Sequence, residues 1–140
     1  MSEQILQPML GMMLLTLGVW VYMYVKRLGH IKRARIDPQE LTTAYKAARH
    51  FPEEIGYPAD NLRNLFELPV LFYAICLYLY VTGSVDDLYV IAAWSFVGLR
   101  AVHSAIQCTT NIVMHRFAVY MAGAVVLWFM VLRAAVTALL

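Results

Sequence analysis

Residues 61–74 read NLRNLFELPVLFYA. Asn61, Arg63 and Asn64 open the stretch, and everything after them is apolar except Glu67. The apolar run continues to Val81. A bilayer core of roughly 30 Å is crossed by about 20 mostly apolar residues of helix. Residues 61–81 therefore read as a membrane helix whose mouth carries a carboxylate one turn after an arginine.

The rest of the chain agrees with that reading. Of its 140 residues, 61% are hydrophobic and 14% charged, with a mean hydropathy of +0.62. Soluble domains carry about 25% charged residues and about half apolar ones. The composition is that of a membrane protein. Its length allows one compact unit, 1–140, expected to bury part of its surface against copies of itself. Three further spans are predicted: residues 5–25, 88–107 and 116–138. A 26–60 loop follows the first, the polar turn TGSVDD (82–87) precedes the third, and CTTNIVMH (108–115) joins the last two. The fold class is thus all-α, a four-transmembrane-helix bundle. A cleaved signal peptide carries its positive charge before the apolar run. Here Lys26 and Arg27 follow it, so the first helix is read as retained.

Charge sets the expected orientation. Lys26, Arg27, Lys32, Arg33, Arg35, Lys46, Arg49 and Arg63 fall in or beside the long loop, and Arg116 adds to the 108–116 connection. The 82–87 turn has two aspartates and no cation. Loops rich in Lys and Arg stay cytoplasmic. The long loop is therefore expected in the cytoplasm and both termini outside. The compact chain is read as bacterial, at the inner membrane. The basic cluster reads as topology and lipid-headgroup contact; no nucleic-acid partner is expected, because no reader module is visible. Within the loop, Asp37 before Pro38 predicts a short helix ended by Pro52, since proline suits the first helical position.

Two polar patterns stand at the loop end of the bundle. Arg63 and Glu67 are spaced i,i+4 and Asn64 and Glu67 i,i+3, so one helix would bring all three to neighbouring ridges, with Arg63 as the local partner of Glu67. Arg100, His103 and Gln107 are spaced i, i+3 and i+7 and share a face of the third helix. Ionisable groups in membrane segments face the bundle interior or a watery cavity and find partners there. Each pattern alone fits glue between helices as readily as a ligand pocket. Two stripes at equal depth imply one shared cavity. Arg116, at the start of the fourth helix, reads either as a cation snorkelling to headgroups or as one aimed into that cavity, where it would stabilise a thiolate. Asp86 and Asp87 are predicted to cap the third helix. Cys76 and Cys108 show no metal spacing and read as free thiols, and no metal site is expected.

The long first loop, RNLFE opening the second helix and RAVHSAIQ ending the third resemble the MAPEG family over nearly the whole chain. The resemblance implies a homotrimer with glutathione as the cofactor, held between subunits near the cytoplasmic face. It implies Arg63, Asn64, Glu67, Arg100, His103 and Gln107 as its contacts, with Glu67 taking its amino group. It implies Arg116 as the catalytic cation, and a lipophilic substrate arriving from membrane lipid. The activity implied is that of a glutathione transferase or peroxidase. A non-catalytic scaffold binding a lipid, another anionic metabolite or a membrane partner is the alternative. Two positions depart from the family pattern: Asp60 stands where members have an arginine, and Gln107 where they often have a tyrosine. The family's first-helix arginine is represented by Lys26 or Arg27.

Overall fold

The computed structural model describes residues 2–140. After a 3₁₀ turn at Ser2–Ile5 come six α-helices: α1 (Leu6–Ala34), α2 (Ala44–His50), α3 (Glu53–Asn64), α4 (Leu68–Thr82), α5 (Asp87–Cys108) and α6 (Val113–Leu139). No strand occurs among the described residues. Four helical spans are long and apolar enough to cross a membrane: residues 2–34, 53–82, 87–108 and 113–139.

The second of these is broken. The residues 61–81 read as one helix are two, α3 and α4, separated at Leu65–Glu67. The cause is Pro69. A proline has no N–H to give the carbonyl four residues back, and its ring collides with that carbonyl, here Leu65. Pro69 therefore sits in the first turn of a new helix, where it costs nothing. Between the two helices the chain tightens, with Phe66 N–H donating to Arg63 O and Glu67 N–H to Asn64 O. The expected i,i+4 pairing of Arg63 with Glu67 is consequently lost. Arg63 instead meets Asp60 at 3.6 Å.

The loop is also more helical than anticipated. Helix α1 runs beyond Lys26 and Arg27 to Ala34, where Arg35 closes it in the left-handed conformation. Asp37 caps only the 3₁₀ turn Pro38–Leu41. The short helix starts at Thr43, whose hydroxyl accepts the Lys46 N–H at 3.2 Å. It is tied to α1 by His30 Nε2 and the His50 carbonyl, 3.1 Å apart, and by Phe51 edge-on to His30.

Helix α5 is the axis of the bundle. Its buried positions, Tyr89, Ala92, Phe96, Arg100, His103 and Gln107, recur every three or four residues and meet α1, α3 and α6. Phe96 stacks on Phe72 of α4, with ring centroids 4.7 Å apart. Met12 of α1 and Leu127 of α6 complete this fully buried centre. With lipid as apolar as leucine, such helices hold together by close packing and hydrogen bonds. At the end away from the long loop, Gly83 at φ 67° ends α4 and Asp86 caps α5, its carboxylate accepting Tyr89 N–H at 2.9 Å. Arg133 of α6 reaches the same carboxylate at 2.9 Å and lies over the Tyr89 ring.

Candidate functional site

At the loop end, α3 presents Asn61 and Asn64 one turn apart to α5, which answers with Arg100, Ser104 and Cys108. Arg100 Nη2 donates to Asn64 Oδ1 at 2.9 Å. Ser104 Oγ donates to Asn61 Oδ1 at 3.3 Å, and Asn61 Nδ2 reaches Cys108 Sγ at 3.6 Å. Asn61, Arg100, His103, Ser104 and Gln107 are all buried. This seam is polar inside a membrane bundle, where an unmet polar group is costly.

Several of its groups remain unmet. Arg100 Nε and Nη1, His103 Nδ1 and Gln107 Oε1 are buried without a hydrogen-bond partner among the described residues. Arg100 is 1% exposed, so its guanidinium rests on one carboxamide and on the face of the Tyr120 ring, 5.6 Å from its centroid. His103 also lies against Tyr120, at 5.9 Å between ring centres. A buried cation with two free nitrogens is a ready receptor for an anion.

The opening to these groups is a cavity of about 190 Å³ lined by Asn64, His103, Val113, Arg116, Phe117 and Tyr120. One wall is polar and cationic, the other apolar. Arg116 is fixed by donating from Nη1 to Asn111 Oδ1. Asn111 adopts a left-handed conformation, φ 49°, in the α5–α6 connection, a backbone state asparagine tolerates. The connection thus places Arg116 in the lining of the cavity.

Of the residues singled out in the sequence, Asn64, His103 and Arg116 line one cavity, with Arg100 buried beside it. Gln107 is buried in the same seam but does not line the opening. Arg63 and Glu67 are exposed. Arg63 instead faces a larger cavity of about 720 Å³ under α2, which Arg27 and Asp60 also line. Tyr120, Asn61, Ser104 and Asn111 were not anticipated as site residues. Tyr120 stands four residues after Arg116, on the same face of α6, but only the packing of α6 on α5 brings it to His103. No group of three or more His, Cys, Asp or Glu side chains able to hold a metal ion occurs among the described residues.

Four helices long and apolar enough to cross a membrane, with a polar seam at the loop end, define an integral membrane protein. A family model matches residues 5–136, and the chain belongs to the MAPEG family, membrane proteins of glutathione and eicosanoid metabolism. No curated protein and no solved structure matches it.

Proposed function

We propose that the protein is a glutathione transferase with a peroxidase-like capacity, acting on lipophilic electrophiles where copies of the chain meet. The observation that carries this reading is the single cavity joining Arg116 to the His103–Tyr120 wall, with the half-satisfied Arg100 behind it and Val113 and Phe117 opposite. A thiol entering from water would lose its proton to that water and leave its thiolate beside the Arg116 guanidinium, which favours the anion. The electrophile would arrive along the apolar wall from lipid. With an aryl chloride, the thiolate sulfur bonds to the ring carbon, the carbon–chlorine bond breaks, and chloride leaves. Arg100 and Asn64 would hold polar parts of the tripeptide. Glu67 lies outside the cavity in one chain, so its expected role toward the ligand's amino group calls for a neighbouring copy, consistent with a homotrimer. The excess of Lys and Arg in residues 26–63 favours a cytoplasmic position for this end and an outside position for both termini.

The test is turnover of 1-chloro-2,4-dinitrobenzene with glutathione, together with the melting temperature of the detergent complex in millimolar glutathione. A ligand that binds the folded state raises its melting point. We expect that rise in wild type and in Arg116→Ala. Turnover should fall about 10²–10³-fold in Arg116→Ala, as when a group that stabilises developing charge is removed. Full turnover in Arg116→Ala would remove its catalytic role.

One observation favours the non-catalytic alternative. Asp60 lies 3.6 Å from Arg63 on the exposed face, and in place of a cation it puts an anion at this turn. If glutathione produces no rise in wild type, the scaffold binds a lipid or another anionic metabolite instead.

A further inference from the structure

On the opposite side of the Asn61–Ser104 seam, α1 and α5 leave a groove between them that the proposed catalytic cavity does not include. Its apolar part, about 420 Å³, is lined by Leu14, Leu15, Gly18, Val19, Ala101 and Ala105. Small side chains form its floor, and a Cβ added at Gly18 would meet no atom within 4 Å. Tyr22 and Cys108 line this groove and also a second, polar cavity of about 340 Å³. The two therefore adjoin at Tyr22 and Cys108. The polar end holds Lys26, Glu54, Tyr57, Thr109 and Thr110.

The charges at that end are specific. Lys26 and Glu54 make no ion pair with each other or with any other described residue. Lys26 lies over the Tyr22 ring, 5.5 Å from its centroid, and Tyr57 stands at the same mouth. The mouth thus offers one cation, over the Tyr22 ring, and one carboxylate, with two threonine hydroxyls in the same lining. A phosphate suits the first and an ammonium the second, since each charge lacks an opposite partner among the described residues. From Leu14 to Lys26 is twelve residues of helix, about 18 Å, close to the half-thickness of a roughly 30 Å hydrocarbon layer. An apolar channel of one leaflet's depth, ending in paired opposite charges, matches an amphiphile.

We infer that the α1–α5 groove is a binding site for a zwitterionic phospholipid. An acyl chain lies along Gly18, Ala101 and Ala105, the phosphate at Lys26 and the headgroup ammonium at Glu54. The site shares no lining residue with the Arg116 cavity.

Cys108 supplies the readout, because it lines both parts of the groove, whereas Cys76 is fully buried. The full-length protein, delipidated in detergent, is labelled with N-ethylmaleimide at increasing concentrations of a palmitoyl lysophosphoethanolamine. Matched lysophosphoglycerol and free phosphoethanolamine serve as comparisons. Lysophosphoethanolamine should slow Cys108 labelling about tenfold, and free phosphoethanolamine should not, because it lacks the chain. Gly18→Leu should fill the groove and abolish protection while leaving the melting temperature unchanged. Glu54→Gln should weaken the lysophosphoethanolamine about tenfold and leave the lysophosphoglycerol unaffected. Protection that persists in Gly18→Leu overturns the site. Equal protection by the two lysolipids in wild type overturns the ammonium assignment. A Cys108 closed to maleimide without lipid, and opened only on dilution, means that a second copy of the chain covers the groove, and the inference fails.

Discussion

Among the described residues, Asn64 is the only side chain that gives the buried guanidinium of Arg100 a hydrogen bond. Hydrogen bonds to charged groups contribute about 1.5–3 kcal/mol, and a buried charge stripped of its partner destabilises by more than the bond was worth. Asn64→Leu should therefore lower stability by about 2–4 kcal/mol, read as a drop of several degrees in the detergent melting temperature. Adding Arg100→Met to that variant should recover part of the loss, because the unpartnered charge is gone. If the double variant melts lower still, the guanidinium is held by something other than Asn64. Helical periodicity alone placed Arg100, His103 and Gln107 on one buried face, since residues three, four and seven apart share a side whatever surrounds them. Tyr120 was out of reach of that argument: it meets His103 across two helices, and which faces of α5 and α6 meet is decided by packing. Arg63 was misassigned for a nearer reason. Its pairing with Glu67 assumed an unbroken helix, and Pro69 breaks it.

The ends of the helices show the same division. Asp86 was legible as a cap because Asp before an apolar run is a recurrent helix start. Its second partner, Arg133, lies 47 residues on and belongs to the tertiary structure. Hydrogen bonding from Arg133, aided by the Tyr89 N–H, holds the Asp86 carboxyl down at about 2. The ordinary value for aspartate is about 3.9, so the folded state binds this proton less readily than the unfolded chain does. The stabilisation is complete above that ordinary range and is lost as the pH falls through it toward about 2. Asp86→Asn keeps the cap, since asparagine caps as well as aspartate, but removes the titration. Between about pH 5 and 2, wild type should lose stability more steeply than Asp86→Asn, measured by thermal melting of both across that range. The difference should be modest, because both side chains are partly solvated and water screens them. Parallel curves would show that the pair contributes nothing to folding.

Across the whole molecule, the number and type of the membrane spans followed from apolar length, which the bilayer fixes from outside the protein. The helical content of residues 35–60 did not, because short helices there are held by docking, as His30 and Arg27 hold Phe51. Helix α5 has the lowest hydropathy of the four spans and the largest buried share. It carries Arg100 well inside its length, together with His103, Ser104 and Gln107. An arginine near the middle of a membrane helix opposes insertion by about 2.5–3.5 kcal/mol. Tested alone in a glycosylation-mapping insertion assay, residues 87–108 should enter the membrane poorly, and Arg100→Leu should restore entry. Adding the preceding residues 53–82, which bring Asn64, should also improve it; no improvement would separate the Arg100–Asn64 bond from insertion. The polar seam then has a consequence during biosynthesis as well as in the finished protein. The segment at the centre of the bundle would be the last to settle in lipid, waiting at the translocon until its neighbours are present to receive it.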